Sequence, residues 1–94
     1  MAKNPILFLS SDDVRSSLSL EDAIKAVRNA CIELSLSRAT VPRREIINIP
    51  EKSGSVHFMP VYLSGSRQLG IKIVSVFNRN PEKGLPAIQA LLSF

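Results

Sequence analysis

The sequence predicts an α+β domain: a mainly antiparallel sheet of about four to five strands with one long N-terminal helix packed on it. Three observations carry this. Apolar residues at Leu20, Ala23, Ile24, Val27, Ala30, Cys31 and Leu34 recur at the i, i+3, i+4, i+7 spacing of one helical face. From Thr40 onward the pattern changes to extended, β-branched runs. The connections between those runs are short and rich in Pro, Gly and Ser, as antiparallel neighbours require.

In chain order, Ile6 to Leu9 is a short apolar run after Pro5 and reads as a strand. Ser10, Ser11, Asp12 and Asp13 then form a helix-opening cluster, with a short helical turn expected through Ser17. The long helix is expected from Ser19 to about Ser37. Ser19 is its natural N-cap, Glu21 and Asp22 sit in the first turn where the helix dipole favours acids, and Glu21 lies four residues before Lys25. Pro42 and Pro50 bracket a first extended run, RREIINI. Ser53-Gly54 is a turn, SVHFMPVYL a second run, and Ser64-Gly65-Ser66 another turn. LGIKIVSVF is a third, nearly continuous apolar run, followed by the loop NRNPEKGLP and a last run, AIQALLSF.

Ninety-four residues suit one domain, and a chain of this size buries only about 65% of its unfolded surface, so added area from a partner copy is valuable. Hydrophobic residues at 45% and charged residues at 21% exclude a disordered segment. A single Cys31 and a single His57 exclude a disulfide framework and a Cys- or His-cluster metal site. With no signal-peptide core and no apolar run long enough to span a bilayer, a reducing, cytoplasmic setting is expected. Net charge is +4: residues 1–38 carry five basic and five acidic side chains, and residues 39–94 carry seven against three, so the whole excess lies in the second half. Such an excess can serve nucleic acid, but the absence of Trp and the scarcity of aromatics argue against a base-stacking surface. The sequence stops inside an apolar run, Leu91-Leu92-Ser93-Phe94, which raises the expectation that it is the front portion of something longer.

Among residues that could carry chemistry, Lys72 is the only charge between Leu69 and Phe77. It either snorkels at a sheet edge or faces an anion. Arg43 and Arg44 are adjacent at a strand start, so period-2 alternation turns them to opposite faces; either both are surface arginines or one clamps a carboxylate. His57 alternates with Met59 and Val61 on one face and reads as a structural hydrogen-bonding group rather than a base. NRNPEKGLP has one Gly, and no G-x-G-x-x-G or GK[ST] occurs anywhere, so nucleotide binding by these residues is not indicated. No nucleophile elbow or metal triad is present.

The tract VPRREIINIP, then HFMPVYL, then LGIKIVSVFNRNPEKGLPAIQALL resembles the ornithine cyclodeaminase and mu-crystallin family, which includes alanine dehydrogenases and ketimine reductases. LFLSSDDV and LSLEDAIKAVRNACIEL fit the family's opening, so the likeness covers essentially the whole chain. The resemblance implies an N-terminal substrate-binding and dimerisation domain, spanning residues 1–94, of an NAD(P)-dependent enzyme of amino or imino acid metabolism, with the Rossmann cofactor domain absent from this sequence. It implies that Arg44 and Lys72 bind the substrate carboxylate, that Lys72 serves catalysis, and, more loosely, that Met59 lies beside the substrate. The chain departs from the family pattern at Asn78, where a small residue or proline is usual, and at Ala87, where threonine is common. NAD(P) is the cofactor implied for the complete protein, with no cofactor site in these residues. An amino, imino or keto acid carboxylate and a second copy of the chain are the implied partners, with no nucleic acid or membrane. A non-catalytic, dimeric carboxylate-binding protein derived from the family is the other reading.

Overall fold

The computed structural model describes residues 4–94. In order it contains helix α1 (Ser11–Ser17), helix α2 (Leu20–Ser35), strands β1 (Ala39–Thr40) and β2 (Glu45–Ile49), a 3-10 turn (Pro50–Lys52), strands β3 (Gly54–Leu63) and β4 (Gln68–Phe77), a second 3-10 turn (Asn80–Lys83) and strand β5 (Ile88–Ser93). The α+β class and the antiparallel sheet follow the sequence. Two features differ. Instead of one long N-terminal helix there are two: the turn expected through Ser17 is a helix of its own, and the longer helix has 16 residues and ends at Ser35 rather than about Ser37. The run Ile6–Leu9 pairs with no strand, because an apolar run becomes a strand only when a neighbour accepts its ladder.

The helix ends are written locally. The Ser10 hydroxyl accepts from the Asp13 amide at 3.1 Å while Asp13 Oδ2 accepts from the Ser10 amide at 2.9 Å, a reciprocal capping box. The Ser10 amide foremost, and then the Ser10 side chain, hold the Asp13 carboxyl below the ordinary aspartate range. Ser19 caps α2 by accepting from the Asp22 amide at 3.1 Å. The other end of α2 closes with Arg38 N donating to Glu33 O and Ser37 N to Leu34 O, at 2.8 and 3.2 Å, with Ser37 in the left-handed region at φ 59°. Glycine is the residue that position favours, since a Cβ there costs on the order of 1 kcal/mol. Ser37→Gly is therefore expected to raise stability by about 0.5 kcal/mol. A urea midpoint that moves upward at unchanged slope is the check.

By contacts the chain divides into a first unit through Ile32 and a second unit, Glu33–Phe94, which holds the sheet. In the sheet unit, β3 lies at the centre: β1 and β2 both pair with one edge of it, β4 with the other, and β5 with the far edge of β4. Every pairing is antiparallel. The β3–β4 hairpin turns through Ser64–Arg67, with Arg67 at φ 55°. Glu33 fastens this turn. Its Oε1 accepts from the Ser66 amide at 2.8 Å and its Oε2 from the Ser66 hydroxyl at 2.7 Å, while Arg38 O accepts both the Ser64 amide and hydroxyl. The Ser66 hydroxyl bond, aided by the Ser66 and Gly65 amides and the Arg38 charge, holds the Glu33 carboxyl below its ordinary range against a smaller desolvation cost.

Register and alternation sort the sheet residues onto two faces. Val56, Phe58 and Pro60 of β3 share one face with Ile71 and Ile73 of β4, Ile47 of β2 and Leu91 of β5. Ser55, His57 and Met59 share the other with Lys72 and Val74. No described residue is buried, and Ile47 and Leu91 on the apolar face are 54% and 55% exposed.

The loop from Asn78 to Ala87 is organised by its own backbone. Asn80 Nδ2 donates to Pro86 O at 3.0 Å, Leu85 N to Asn80 O at 3.1 Å, and Gly84 turns the chain at φ 77°. A Cβ on Gly84 would meet nothing within 4 Å, so Gly84→Ala isolates the backbone cost of the left-handed conformation. A loss of about 1 kcal/mol in denaturant unfolding is expected.

Candidate functional site

Lys72 pairs with Met59 across the central hairpin and with Leu92 on its other side. Glu45 pairs with Phe58, and continuing the β2 register by one residue places Arg44 across from Met59. Met59, Lys72 and Leu92 therefore form one row across three neighbouring strands, and Arg44, one residue ahead of the first β2 ladder pair, joins it only by continuation of that register. The common face of Met59, Lys72 and Leu92 is fixed by the pleat, because residues directly opposite in an antiparallel pair project to the same side. By the same continuation Arg43, also outside the ladder, falls across from Pro60.

The electrostatics of the row favour an anion. Among the described residues the ion pairs are Arg15–Asp12, Lys25–Glu21 and Arg79–Glu82, at 3.6, 3.8 and 3.4 Å, and none involves Arg44 or Lys72. Lys72 and, by the continued register, Arg44 flank the Met59 thioether, and neither has a carboxylate partner among the described residues. Lys72 is exposed while Ile71 and Ile73 beside it are half-buried, so the ammonium stands clear of an apolar surround. A carboxylate bridging a guanidinium and an ammonium is the ligand such a pair recognises.

His57 lies next along the same face, opposite Val74. Its Nε2 is 3.0 Å from the Ser55 hydroxyl, and its Nδ1 is shielded from water with no hydrogen-bond partner. One imidazole nitrogen engaged by a same-strand serine agrees with the structural reading of this residue. An unpaired shielded nitrogen costs about 1–3 kcal/mol. His57→Leu, which removes the orphan with a side chain of similar bulk, is expected to leave the melting temperature unchanged or raise it. A fall of more than a few degrees would show that Nδ1 has a role the fold depends on.

Two features escaped the sequence. One is the Glu33–Ser66 fastening, whose partners are 33 residues apart and carry no local signature. The other is a hollow of about 450 Å³ at the end of the strands, lined by Glu51 and Lys52 of one 3-10 turn, Phe77, Arg79, and Asn80, Glu82 and Lys83 of the other. Arg44, Met59 and Lys72 do not line it. Its mixed charges and the internal Arg79–Glu82 pair make it a solvated surface hollow rather than a selective site.

The residues present do not fit a nicotinamide dinucleotide. Every strand pairing is antiparallel, and the chain has no glycine-rich turn leading from a strand into a helix N-terminus, the arrangement that holds a pyrophosphate. Among the described residues no group of three or more His, Cys, Asp or Glu side chains could hold a metal, and no helix is long and apolar enough to cross a membrane.

Comparison with known proteins adds what geometry cannot. The chain is 33% identical over 86 residues to an alanine dehydrogenase of Archaeoglobus fulgidus, covering 92% of this chain and 26% of that protein. It is 28% identical over 102 aligned positions to an uncharacterised cyclodeaminase of Dictyostelium discoideum, with 93% and 27% coverage. Among solved structures, Thermococcus litoralis Δ1-pyrroline-2-carboxylate reductase in complex with NADH and L-proline superposes with a TM-score of 0.86 at 37% identity, covering 93% of this chain and 27% of that one. An archaeal alanine dehydrogenase dimer with bound NAD superposes with a TM-score of 0.78 at 32% identity, covering 87% and 24%. The chain thus spans about a quarter of the length of the relatives it matches. The family model for ornithine cyclodeaminase/mu-crystallin proteins matches residues 5–94, and the chain belongs to that family.

Proposed function

We propose that the chain is the substrate-binding and dimerisation portion of a cytoplasmic, NAD(P)-dependent enzyme acting on amino or imino acids, of cyclodeaminase, alanine dehydrogenase or ketimine reductase type. The observation that carries this reading is the Met59–Lys72 pair of the central hairpin, across from which the β2 register, continued by one residue, sets Arg44, with neither cation in an ion pair among the described residues. Arg44 holds the substrate carboxylate through two parallel N–H donors, and Lys72 sits against the same anion with an ammonium able to pass a proton to the reacting nitrogen or carbon. Met59 fills the floor between them with an adaptable, uncharged surface that leaves both donors directed at the ligand. The NADH and L-proline of the Thermococcus reductase support this class of ligand. Hydride chemistry needs a cofactor held by residues outside these 94, so no hydride step falls to this chain alone. The test is L-proline, L-ornithine or L-alanine with either nicotinamide cofactor: the 94-residue chain is expected to bind the carboxylate weakly and to turn nothing over. Turnover that disappears in Lys72→Ala would overturn the division of labour.

Dimerisation is the other half of the reading. The sheet face carrying Val56, Phe58, Ile71 and Ile73 has Glu45 as the one charge among its ladder-paired residues, its outer residues Ile47 and Leu91 stay more than half exposed, and no described residue is buried within a single copy. A second copy covers such a face at little cost. Light scattering at micromolar concentration is expected to give twice 10.3 kDa, with a melting temperature that rises with protein concentration. A 10.3 kDa species melting at a concentration-independent temperature would remove this part of the proposal.

A further inference from the structure

The edge strand opposite β3 has two different registers. In β1, Ala39 pairs with Leu63 and Thr40 with Tyr62; in β2, Glu45 pairs with Phe58 and Ile46 with His57. Between Thr40 and Glu45 lie four residues, Val41 to Arg44, whereas between Phe58 and Tyr62 lie three, Met59 to Val61. The edge strand therefore holds one residue too many, the arithmetic of a β-bulge. Each side carries a proline at the break, Pro42 and Pro60, and prolines in sheets are confined to edges and bulges because they cannot donate a ladder bond.

Resting on the carboxylate site proposed above, we infer that this one-residue excess is the positioning device that selects Arg44 over Arg43. Carried forward from β1 without a break, the register would set Arg43 opposite Met59. Carried back from β2, it sets Arg44 there. The register of β2 controls the outcome because five consecutive pairs with β3, Glu45 through Ile49, hold it, against two for β1. A one-residue slip of β2 would move Ile47 off the apolar face. The β1 end is held separately, with Arg38 O accepting the Ser64 amide and hydroxyl at 2.8 and 3.0 Å. All the slack therefore collects in Val41–Arg44, which makes no ladder pair. The clamp is whichever residue immediately precedes Glu45, and its distance from Pro42 is immaterial.

Three length and substitution variants of the 94-residue chain separate these frames, with L-proline as the probe and NMR titration as the readout. Arg44→Ala tests the site itself and is expected to weaken L-proline at least tenfold. Inserting Ala between Arg44 and Glu45 keeps the Pro42-to-Arg44 spacing and seats Ala opposite Met59. It is expected to weaken L-proline to the level of Arg44→Ala. Deleting one of the two arginines leaves Val-Pro-Arg-Glu, removes the excess residue and seats the remaining arginine opposite Met59; binding within about threefold of wild type is expected. An insertion variant that binds like wild type overturns the inference and shows that spacing from Pro42 governs. Should the deletion variant not fold by amide dispersion, the insertion decides alone, since it lengthens a segment with no ladder bonds to lose. If wild type shows no L-proline response, or Arg44→Ala binds like wild type, the carboxylate site has failed, and the register inference falls with it.

Discussion

Arg44→Ala is expected to weaken binding of a small carboxylate by tenfold or more, and Arg43→Ala to change it little. A charge-assisted hydrogen bond contributes on the order of 1.5–3 kcal/mol, and a factor of ten corresponds to about 1.4 kcal/mol. Losing the guanidinium in the Lys72 row removes at least one such bond. Arg43 serves as an internal control: it carries the same charge one residue away, so each variant removes one positive charge and weakens long-range attraction to the same extent. Any difference between the two therefore reports position, not net charge. Lys72→Ala is expected to cost a similar factor. Titration of pyruvate or L-proline by calorimetry or NMR gives the three affinities, and equal losses in Arg43→Ala and Arg44→Ala would remove the assignment of Arg44.

Gly54→Ala is expected to destabilise the sheet by about 1–3 kcal/mol, the usual cost of forcing extra volume into a packed contact. Gly54 opens β3 directly opposite Phe77 at the end of β4, and the Phe77 ring occupies the space where a Cβ of residue 54 would stand. A Cβ added there falls well inside contact with two ring carbons and 2.9 Å from Cγ. The ring is rigid and the two strands are paired at that point, so the conflict is relieved only by turning Phe77 out or by parting the ladder. Gly65→Ala is the instructive contrast. Its Cβ would collide with Glu33 Oε1, the tip of a flexible side chain that can swing aside. The expected result is a melting temperature lowered by roughly 5–20 °C for Gly54→Ala and by only a few degrees for Gly65→Ala. Equal shifts would mean that the Phe77 contact is not rigid.

Much of the fold was legible because its determinants are local. The spacing from Leu20 to Leu34 marks α2, and Ser19 performs the capping role that its position suggests. The prolines and glycines bounding the extended runs mark the hairpins. What the sequence withheld is nonlocal. Ile6–Leu9 reads like a strand by composition, but only a partner makes it one. The run RREIINI reads as continuous, yet the ladder begins at Glu45, since the offset between the β1 and β2 registers exists only relative to β3. Alternation allowed only one of Arg43 and Arg44 to face a given cleft, a rule for regular strands, although the two residues lie in an irregular segment; the family resemblance, not alternation, pointed to Arg44.

The fastening of Glu33 to Ser66 has a consequence for how the chain opens. Helix α2 crosses the boundary between the two units: residues through Ile32 belong to the first, and its last turn from Glu33 belongs with the sheet. One continuous helix is thereby anchored at its end to a hairpin, and amide exchange along it should divide at that boundary. Amides of the early turns should exchange with the opening of the first unit, while those of Arg38 and Ser66 should exchange only when the sheet opens. Acid should merge the two classes. The carboxylate form of Glu33 is the one that accepts from Ser66, and its folded value is depressed. Its contribution is therefore fully present above the ordinary glutamate range and is lost as pH falls through the lowered folded value. In Glu33→Gln the Arg38 and Ser66 amides should already exchange in the faster class at neutral pH, and acidification should change their ranking no further.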